Sequence, residues 1–83
     1  MITLYDFNKH KLDGRAQMAW DHGTYIALRC EEPHSVALYH MGEFFAEVWY
    51  SPTDNKIIMV RGFKSRRLLE PYAEMVDLRE ILN

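Results

Sequence analysis

Apolar positions follow a helical period in the first part of the chain and alternate with polar ones after it. The early apolar residues are Leu4, Phe7, Leu12, Ala16, Ala19 and Trp20, and their three- and four-residue spacing is typical of one helix face. Thr3 is placed to cap the first turn, Asp13 to cap a second helical stretch, and Gly23 to end it in the left-handed conformation. We therefore predict helical structure over residues 3–22, with an interruption near His10.

Four segments rich in strand-forming residues follow, with short turn sequences between them. They cover residues 24–32, 35–41, 43–50 and 56–63. Turns this short join only antiparallel neighbours, because parallel strands need a long crossover connection. The pattern predicts a four-stranded antiparallel meander.

A second amphipathic stretch closes the chain. Its apolar residues are Leu68, Leu69, Tyr72, Met75 and Val76. Ser65 is placed to cap this helix, Pro71 is expected to kink or restart it, and Asp77 with Glu80 resembles a capping box for a last turn. We predict a single α+β domain over residues 1–83, in which the N-terminal and C-terminal helices pack on one face of the meander.

Composition narrows the class of protein. The 83 residues carry a net charge of −2 and a single cysteine, so an intrachain disulfide is excluded and nothing draws the whole chain to nucleic acid or anionic lipid. No apolar run reaches the roughly 18 residues of a membrane span, and the N-terminus does not have the pattern of a secretory signal. These features favour a cytoplasmic protein that binds neither membrane nor nucleic acid.

The hairpin of residues 39–50 is predicted to have two different faces. With Met41 and Gly42 as the loop, His40 pairs with Glu43, and a shift of one residue would exchange the faces. One face is uncharged and is expected to form the core, with help from Ile58 and Val60. Its residues are Ala37, Tyr39, Phe44, Ala46, Val48 and Tyr50.

The other face mixes large apolar side chains with charged ones. Its characteristic residues are His40, Glu43, Phe45, Glu47 and Trp49, joined by Arg61 from the next strand. One interpretation is an exposed sheet surface with a Glu47–Arg61 ion pair. A second is a contact surface for another copy of the chain, as in a homodimer, or for an unidentified protein partner. A third is a small-ligand pocket or small active site that uses the same residues.

The segment after the fourth strand is locally basic. Lys64, Ser65, Arg66 and Arg67 follow one another, which is a composition that suits an anion, an acidic protein surface or nucleic acid. Several acidic residues come next and can screen this charge, so a solvated surface is the competing interpretation.

Motifs for catalysis, metal or cofactor binding are not found in the sequence. Cys30 alternates with Ile26 and Leu28, which predicts a buried, inert thiol rather than a nucleophile activated by His34 or His40. The His40 and Glu43 spacing matches no metal-ligand motif. We therefore expect no catalytic residue and no cofactor.

Three segments carry a resemblance to other proteins: "WDHGTYIALR", "YHMGEFFAEVWYSPTDNKI" and "RGFKSRRLLEPYAEMVDL". Together they resemble a group of small bacterial proteins of unassigned function with a helical segment, a meander and a closing helix. The resemblance implies this layout and a bacterial cytoplasm, and it implies no activity. The sequence thus favours a non-catalytic protein that acts through protein contact or self-association.

Overall fold

The computed structural model describes residues 2–77 and residue 79. Helices α1 (Leu4–Asn8) and α2 (Leu12–His22) precede strands β1 (Thr24–Glu31), β2 (His34–His40), β3 (Phe45–Tyr50) and β4 (Ile57–Phe63), and a 3₁₀ helix covers Arg66–Tyr72. The strands form one antiparallel sheet in the order β1-β2-β3-β4. The predicted α+β class and meander are confirmed.

The N-terminal helices begin and end through local contacts. Thr3 and Asp6 form a capping box, in which the Asp6 N–H donates to Thr3 Oγ1 at 3.1 Å. The cap predicted for Asp13 is wrong, because Lys11 occupies that position and Asp13 lies in the first turn of α2. Gly23 is extended at φ −90° and not left-handed. A Cβ there would lie 2.6 Å from the Ala19 carbonyl oxygen, so close packing explains the glycine.

Helices α1 and α2 cover one face of the sheet, which we call the helix face. Its core contains Phe7, Ala16, Ala19, Met41, Phe44, Ala46, Val48 and Val60. This confirms the predicted burial of Ala46, Val48 and Val60. The prediction for Ile58 is wrong, because a register irregularity lets Tyr50 pair with Ile57, and Ile57 packs on this core while Ile58 is exposed.

The 3₁₀ helix covers the opposite face, which we call the C-terminal face. Its core contains Ala27, Leu38, Phe45, Phe63, Leu69 and Tyr72. The prediction that the N-terminal and C-terminal helices pack on the same face is therefore wrong, because they pack on opposite faces. Phe63 ends β4 with its side chain buried on the C-terminal face, and only Lys64 and Ser65 separate β4 from the 3₁₀ helix. So short a connection leads the chain onto the face where Phe63 lies.

The C-terminal segment differs in detail from its prediction. The 3₁₀ helix runs through Pro71 without restarting, and the Ser65 side chain makes no capping hydrogen bond. Asp77 Oδ1 accepts a hydrogen bond from the Arg79 N–H at 3.0 Å. Glu80, the other half of the predicted capping box, lies outside the described residues.

The β2–β3 loop is longer than predicted. His40 pairs with Phe45, so the loop contains four residues, and the Met41 N–H donates to the Phe44 carbonyl at 2.8 Å. Gly42 takes a φ of 98°, which favours glycine. Met41 and Phe44 are buried in the helix-face core, a placement that a two-residue turn does not allow. The predicted pairing was off by two residues, and a shift of two leaves each side chain on its predicted face.

Candidate functional site

The polar and aromatic surface predicted for β2, β3 and β4 is largely covered. Glu47 is 0% exposed and Phe45 is buried, because the 3₁₀ helix lies over them. His40, Trp49 and Arg61 are half-buried, and only Glu43, in the β2–β3 loop, is exposed. The expectation of an open interaction face is therefore wrong for Phe45 and Glu47, which are buried on the C-terminal face.

Glu47 is the centre of that core. Its Oε1 accepts hydrogen bonds from Arg61 Nη2 at 2.6 Å, Arg61 Nε at 3.0 Å and Trp49 Nε1 at 3.4 Å. Its Oε2 accepts from the Tyr72 hydroxyl at 2.6 Å and from Arg29 Nη2 at 3.3 Å. The predicted Glu47–Arg61 pair is present, but it is part of a buried network that ties β1, β3, β4 and the 3₁₀ helix together.

The network determines the ionisation of its members. Burial opposes the charge on Glu47, but the hydrogen bonds from Tyr72 and Arg61 and the positive charges of Arg61 and Arg29 outweigh burial and hold the Glu47 pKa below its ordinary value. Burial and the bond to Glu47 raise the pKa of Tyr72. Glu47 is therefore an anion at neutral pH and Tyr72 a neutral donor, a pairing that stabilises the fold and provides no free base.

Arg29 is the network residue that the sequence analysis missed. Its side chain is 7% exposed, bonds Glu31 as well as Glu47, and lies 5.5 Å from the Trp49 ring and 5.2 Å from the Tyr72 ring. Two arginines thus face two carboxylates, so the cluster is balanced in charge. One signal in the sequence was Glu47 itself, because a carboxylate within an apolar strand needs buried partners.

A β-bulge explains both Arg29 and an error about Cys30. The pairing of β1 with β2 shifts between Tyr25 and Ala27, so the residues after Ile26 change faces. Arg29 therefore points into the C-terminal face, while Cys30 is exposed. The prediction of a buried thiol is wrong.

The exposed Cys30 thiol is not activated. Its Sγ lies 3.2 Å from Glu32 Oε1, and the hydrogen bond to Glu32 is the main reason its pKa is raised. His34 packs its ring 5.9 Å from Trp49 on the other side of the sheet. His40 lies at the far end of β2 from Ser35, the residue that pairs with Cys30. This arrangement does not generate a thiolate nucleophile.

The basic segment is exposed as a group. Lys64 and Ser65 connect β4 to the 3₁₀ helix, Arg66 and Arg67 begin that helix, and all four lie on the surface. Arg61, the nearest basic residue of β4, is bonded to Glu47 and does not join them. The anion patch stays a prediction.

Exposed aromatic and aliphatic side chains lie on the helix-face side of the sheet near strand β1, with two half-buried tyrosines of β2 and β3 next to them. We call this group the aromatic patch: its exposed residues are Trp20, Tyr25 and Leu28, and its half-buried residues are Tyr39 and Tyr50. Trp20 is 47%, Tyr25 56% and Leu28 53% exposed, and the rings of Tyr25 and Tyr39 meet edge to face at 5.8 Å. The helix-face core includes residues of β3 and β4 but none of β1. Helices α1 and α2 therefore leave the part of the helix face formed by β1 uncovered.

A cleft of about 440 Å³ opens where α2, β1 and the β2–β3 loop meet. Its lining comprises Ile2, His22, Thr24, His40, Met41 and Gly42. It brings together two histidines, His22 and His40, that the sequence spacing did not connect. Within residues 2–77 and 79, no group of three or more His, Cys, Asp and Glu side chains converges as a metal site.

Comparisons of the chain with protein-family models, curated proteins and solved structures found no match. Among the described residues, no helix has the length and apolar character needed to cross a membrane. The candidate sites therefore rest on the geometry of the molecule itself, and the aromatic patch, the cleft and the basic segment are accessible in the described part of the chain.

Proposed function

We propose that this chain is a non-catalytic bacterial protein of the cytoplasm that acts through self-association, and that two copies pair through strand β1. The observation that carries the proposal is the aromatic patch, which lies open beside an edge strand. Large exposed apolar groups next to unpaired strand backbone are typical of a protein contact surface.

The backbone of β1 supports a second copy as the occupant. Strand β1 lies at the end of the order β1-β2-β3-β4, and in the described part of the chain no strand pairs with its outer edge. Two identical strands related by a twofold axis run antiparallel, so their donors and acceptors are complementary without any change of sequence. The bulge near Ile26 leaves residues 27–31 as the regular part of this edge.

The side chains support the same contact. Tyr25 and Leu28 belong to β1, and Trp20 on α2 contacts Tyr39, whose ring meets that of Tyr25. Tyrosine and tryptophan are enriched at the centres of protein interfaces, because they bury much area and lose little conformational freedom. A sheet continued across two copies would place two such patches side by side.

Size-exclusion chromatography with light scattering, over a concentration series, tests the proposal. We expect a dimer whose population rises with concentration. Leu28→Glu should shift it to monomer, because the carboxylate would be buried between the two copies. Tyr5→Glu is the matched control, since Tyr5 is exposed on α1 and outside the patch.

Two results would contradict self-association. One is a monomer at every concentration up to about 1 mM, at which the contact would contribute no more than about 4.1 kcal/mol. The other is a dimer that Leu28→Glu leaves intact, which would show that the contact between copies does not involve β1. Circular dichroism of both variants checks that the fold is retained.

The alternative, a small-ligand site or small active site formed by His40, Glu43, Glu47 and Arg61, requires these side chains to share an accessible surface. Glu47 is enclosed and already bonds Arg61, while Glu43 lies in the loop beyond β2. Of this set, His40 lines the cleft. The geometry therefore favours the contact surface over that alternative.

A further inference from the structure

The hydrogen-bond pattern of the sheet determines which backbone groups of β1 face its outer edge. Bonded and non-bonded residue pairs alternate along an antiparallel ladder. The Met41 N–H donates to the Phe44 carbonyl at 2.8 Å, next to the pair of His40 with Phe45. His40 and every second residue of β2 before it therefore direct their N–H and C=O groups away from β3 and towards β1.

The outward-facing groups of β1 follow from this alternation. At positions 38 and 36, the β2 residues that face β1 pair with Ala27 and Arg29, which therefore use their backbone groups within the sheet. The N–H and C=O groups of Leu28 and Cys30 consequently face outwards. In the described part of the chain no strand pairs with this edge, so it offers a short ladder centred on Arg29.

The register of a twofold contact is defined by the residue at its axis. With Arg29 at the axis, Leu28 of each copy lies opposite Cys30 of the other, so the outward-facing groups of both residues find partners. With Leu28 at the axis, Cys30 lies opposite Ile26 in the bulge. With Cys30 at the axis, Leu28 lies opposite Glu32 in the turn. Backbone pairing is therefore most complete about Arg29.

Charge is compatible with an axis at Arg29. The two arginines would lie directly opposite each other, which is unfavourable for uncompensated like charges. Here each guanidinium is bonded to the carboxylates of Glu31 and Glu47 of its own chain. The Glu31 side chain is 55% exposed and lies diagonally across from Arg29 of the second copy, within reach of a long side chain. The arginines at the axis are thus compensated by carboxylates on both sides.

We propose that two copies of this chain pair with Arg29 at the twofold axis, so that their sheets continue as one and their buried Glu47 networks become neighbours. This inference rests on the proposed self-association through β1 and names the register of that contact. On the helix face, Leu28 of each copy is then covered by Cys30 of the other. Both residues are exposed in the single chain.

Disulfide formation between two different chains tests the register. One chain is the wild type, whose single thiol is Cys30, and the other carries Leu28→Cys with Cys30→Ser, so that its single thiol is at position 28. Directly opposed residues of a bonded pair have Cα atoms about 5.5 Å apart, which a disulfide spans, whereas diagonal residues lie about 7 to 8 Å apart, beyond its reach. The chains are mixed and equilibrated in a buffer of reduced and oxidised glutathione. Non-reducing electrophoresis and intact-mass spectrometry then resolve the products.

We expect the disulfide between the two different chains as the main product, because Cys30 of the wild type lies opposite the introduced thiol. The wild type alone should form no more disulfide dimer than the control does. That matched control is Tyr5→Cys with Cys30→Ser, since position 5 is exposed on α1 and lies outside the patch. Its thiol should cross-link to the wild type no better than to itself.

Other products would overturn the register. A disulfide mainly between two variant chains would place Leu28 at the axis, and one between two wild-type chains would place Cys30 there. A dimer by light scattering in which no disulfide exceeds the control would also overturn it. In each of these cases self-association stands.

A monomer at every concentration overturns the proposed function and the register together, so chromatography separates the two failures. Leu28 is exposed, and circular dichroism checks that the double variant keeps the fold. The wild type tests Cys30 at the axis without any substitution.

Discussion

Removing one hydroxyl tests whether the Glu47 network stabilises the fold. Tyr72→Phe deletes the donor that lies 2.6 Å from Glu47 Oε2 and keeps the buried ring. A hydrogen bond to a charged group contributes about 1.5 to 3 kcal/mol. Because Glu47 keeps its bonds to Arg29 and Arg61, we expect a loss near the lower end, about 1.5 to 2 kcal/mol.

In a domain of this size each kcal/mol changes the melting temperature by about 4 to 8 °C, so Tyr72→Phe should lower it by roughly 6 to 16 °C. Urea unfolding followed by circular dichroism gives the free energy directly. Tyr5→Phe is the matched control, because Tyr5 is exposed, lies outside the aromatic patch, and its change should stay within about 0.5 kcal/mol.

The pH dependence provides a second measurement. The folded-state pKa of Glu47 lies below its ordinary value of 4.5, so its contribution to the free energy of unfolding is present above that pH and is lost as the pH falls. Without the Tyr72 hydroxyl the Glu47 pKa moves back towards the ordinary value, so less stability remains to be lost. The difference between wild type and Tyr72→Phe should therefore narrow below about pH 4.5. A variant as stable as wild type, or a difference that does not change with pH, would refute this account.

Three further substitutions probe other parts of the chain. Gly62→Ala places a Cβ 2.6 Å from Leu4 Cδ1 and 3.0 Å from Phe7 Cδ2, so we expect a destabilisation of about 1 to 3 kcal/mol in urea unfolding; an unchanged midpoint would contradict this packing. Thr3→Ala removes the cap of α1 and should cost about 1 kcal/mol by the same assay, with Tyr5→Ala, an exposed change in the same helix, as the comparison. Glu32→Gln should speed the reaction of Cys30 with a disulfide reagent at constant pH, because the hydrogen bond and charge of Glu32 raise the thiol pKa; an unchanged or slower reaction would show that Glu32 does not control it.

Much of the fold was predictable because its signals are local. The capping box of Thr3 and Asp6 and the change from helical to alternating periodicity lie within a few residues of each other. The faces of β2 and β3 were also predictable, even with the wrong loop, because a two-residue error in pairing preserves the alternation.

The remaining features depend on contacts between distant residues. The bulge near Ile26 leaves no clear signal in the sequence, because apolar and polar residues alternate both before and after it. It exchanges the faces expected for Arg29 and Cys30, so that Arg29 is buried and Cys30 is exposed. The face chosen by the 3₁₀ helix depends on Phe63 and on the bond between Tyr72 and Glu47, which are 25 residues apart. The pairing of His22 with His40 in one cleft likewise needs α2 and β2 to be placed first.

The two edge strands of the sheet, β1 and β4, differ in how well other parts of the chain cover them, and this affects how copies could assemble. At β4, the guanidinium of Arg15 donates to the Val60 carbonyl at 3.2 Å and α1 and α2 pack alongside, whereas β1 has no such cover in the described part of the chain. If both edges were open, sheets would add end to end without limit. If copies pair through β1 as proposed, a twofold contact would use the available edge of each copy, so the assembly would close at two chains and would not grow into a filament.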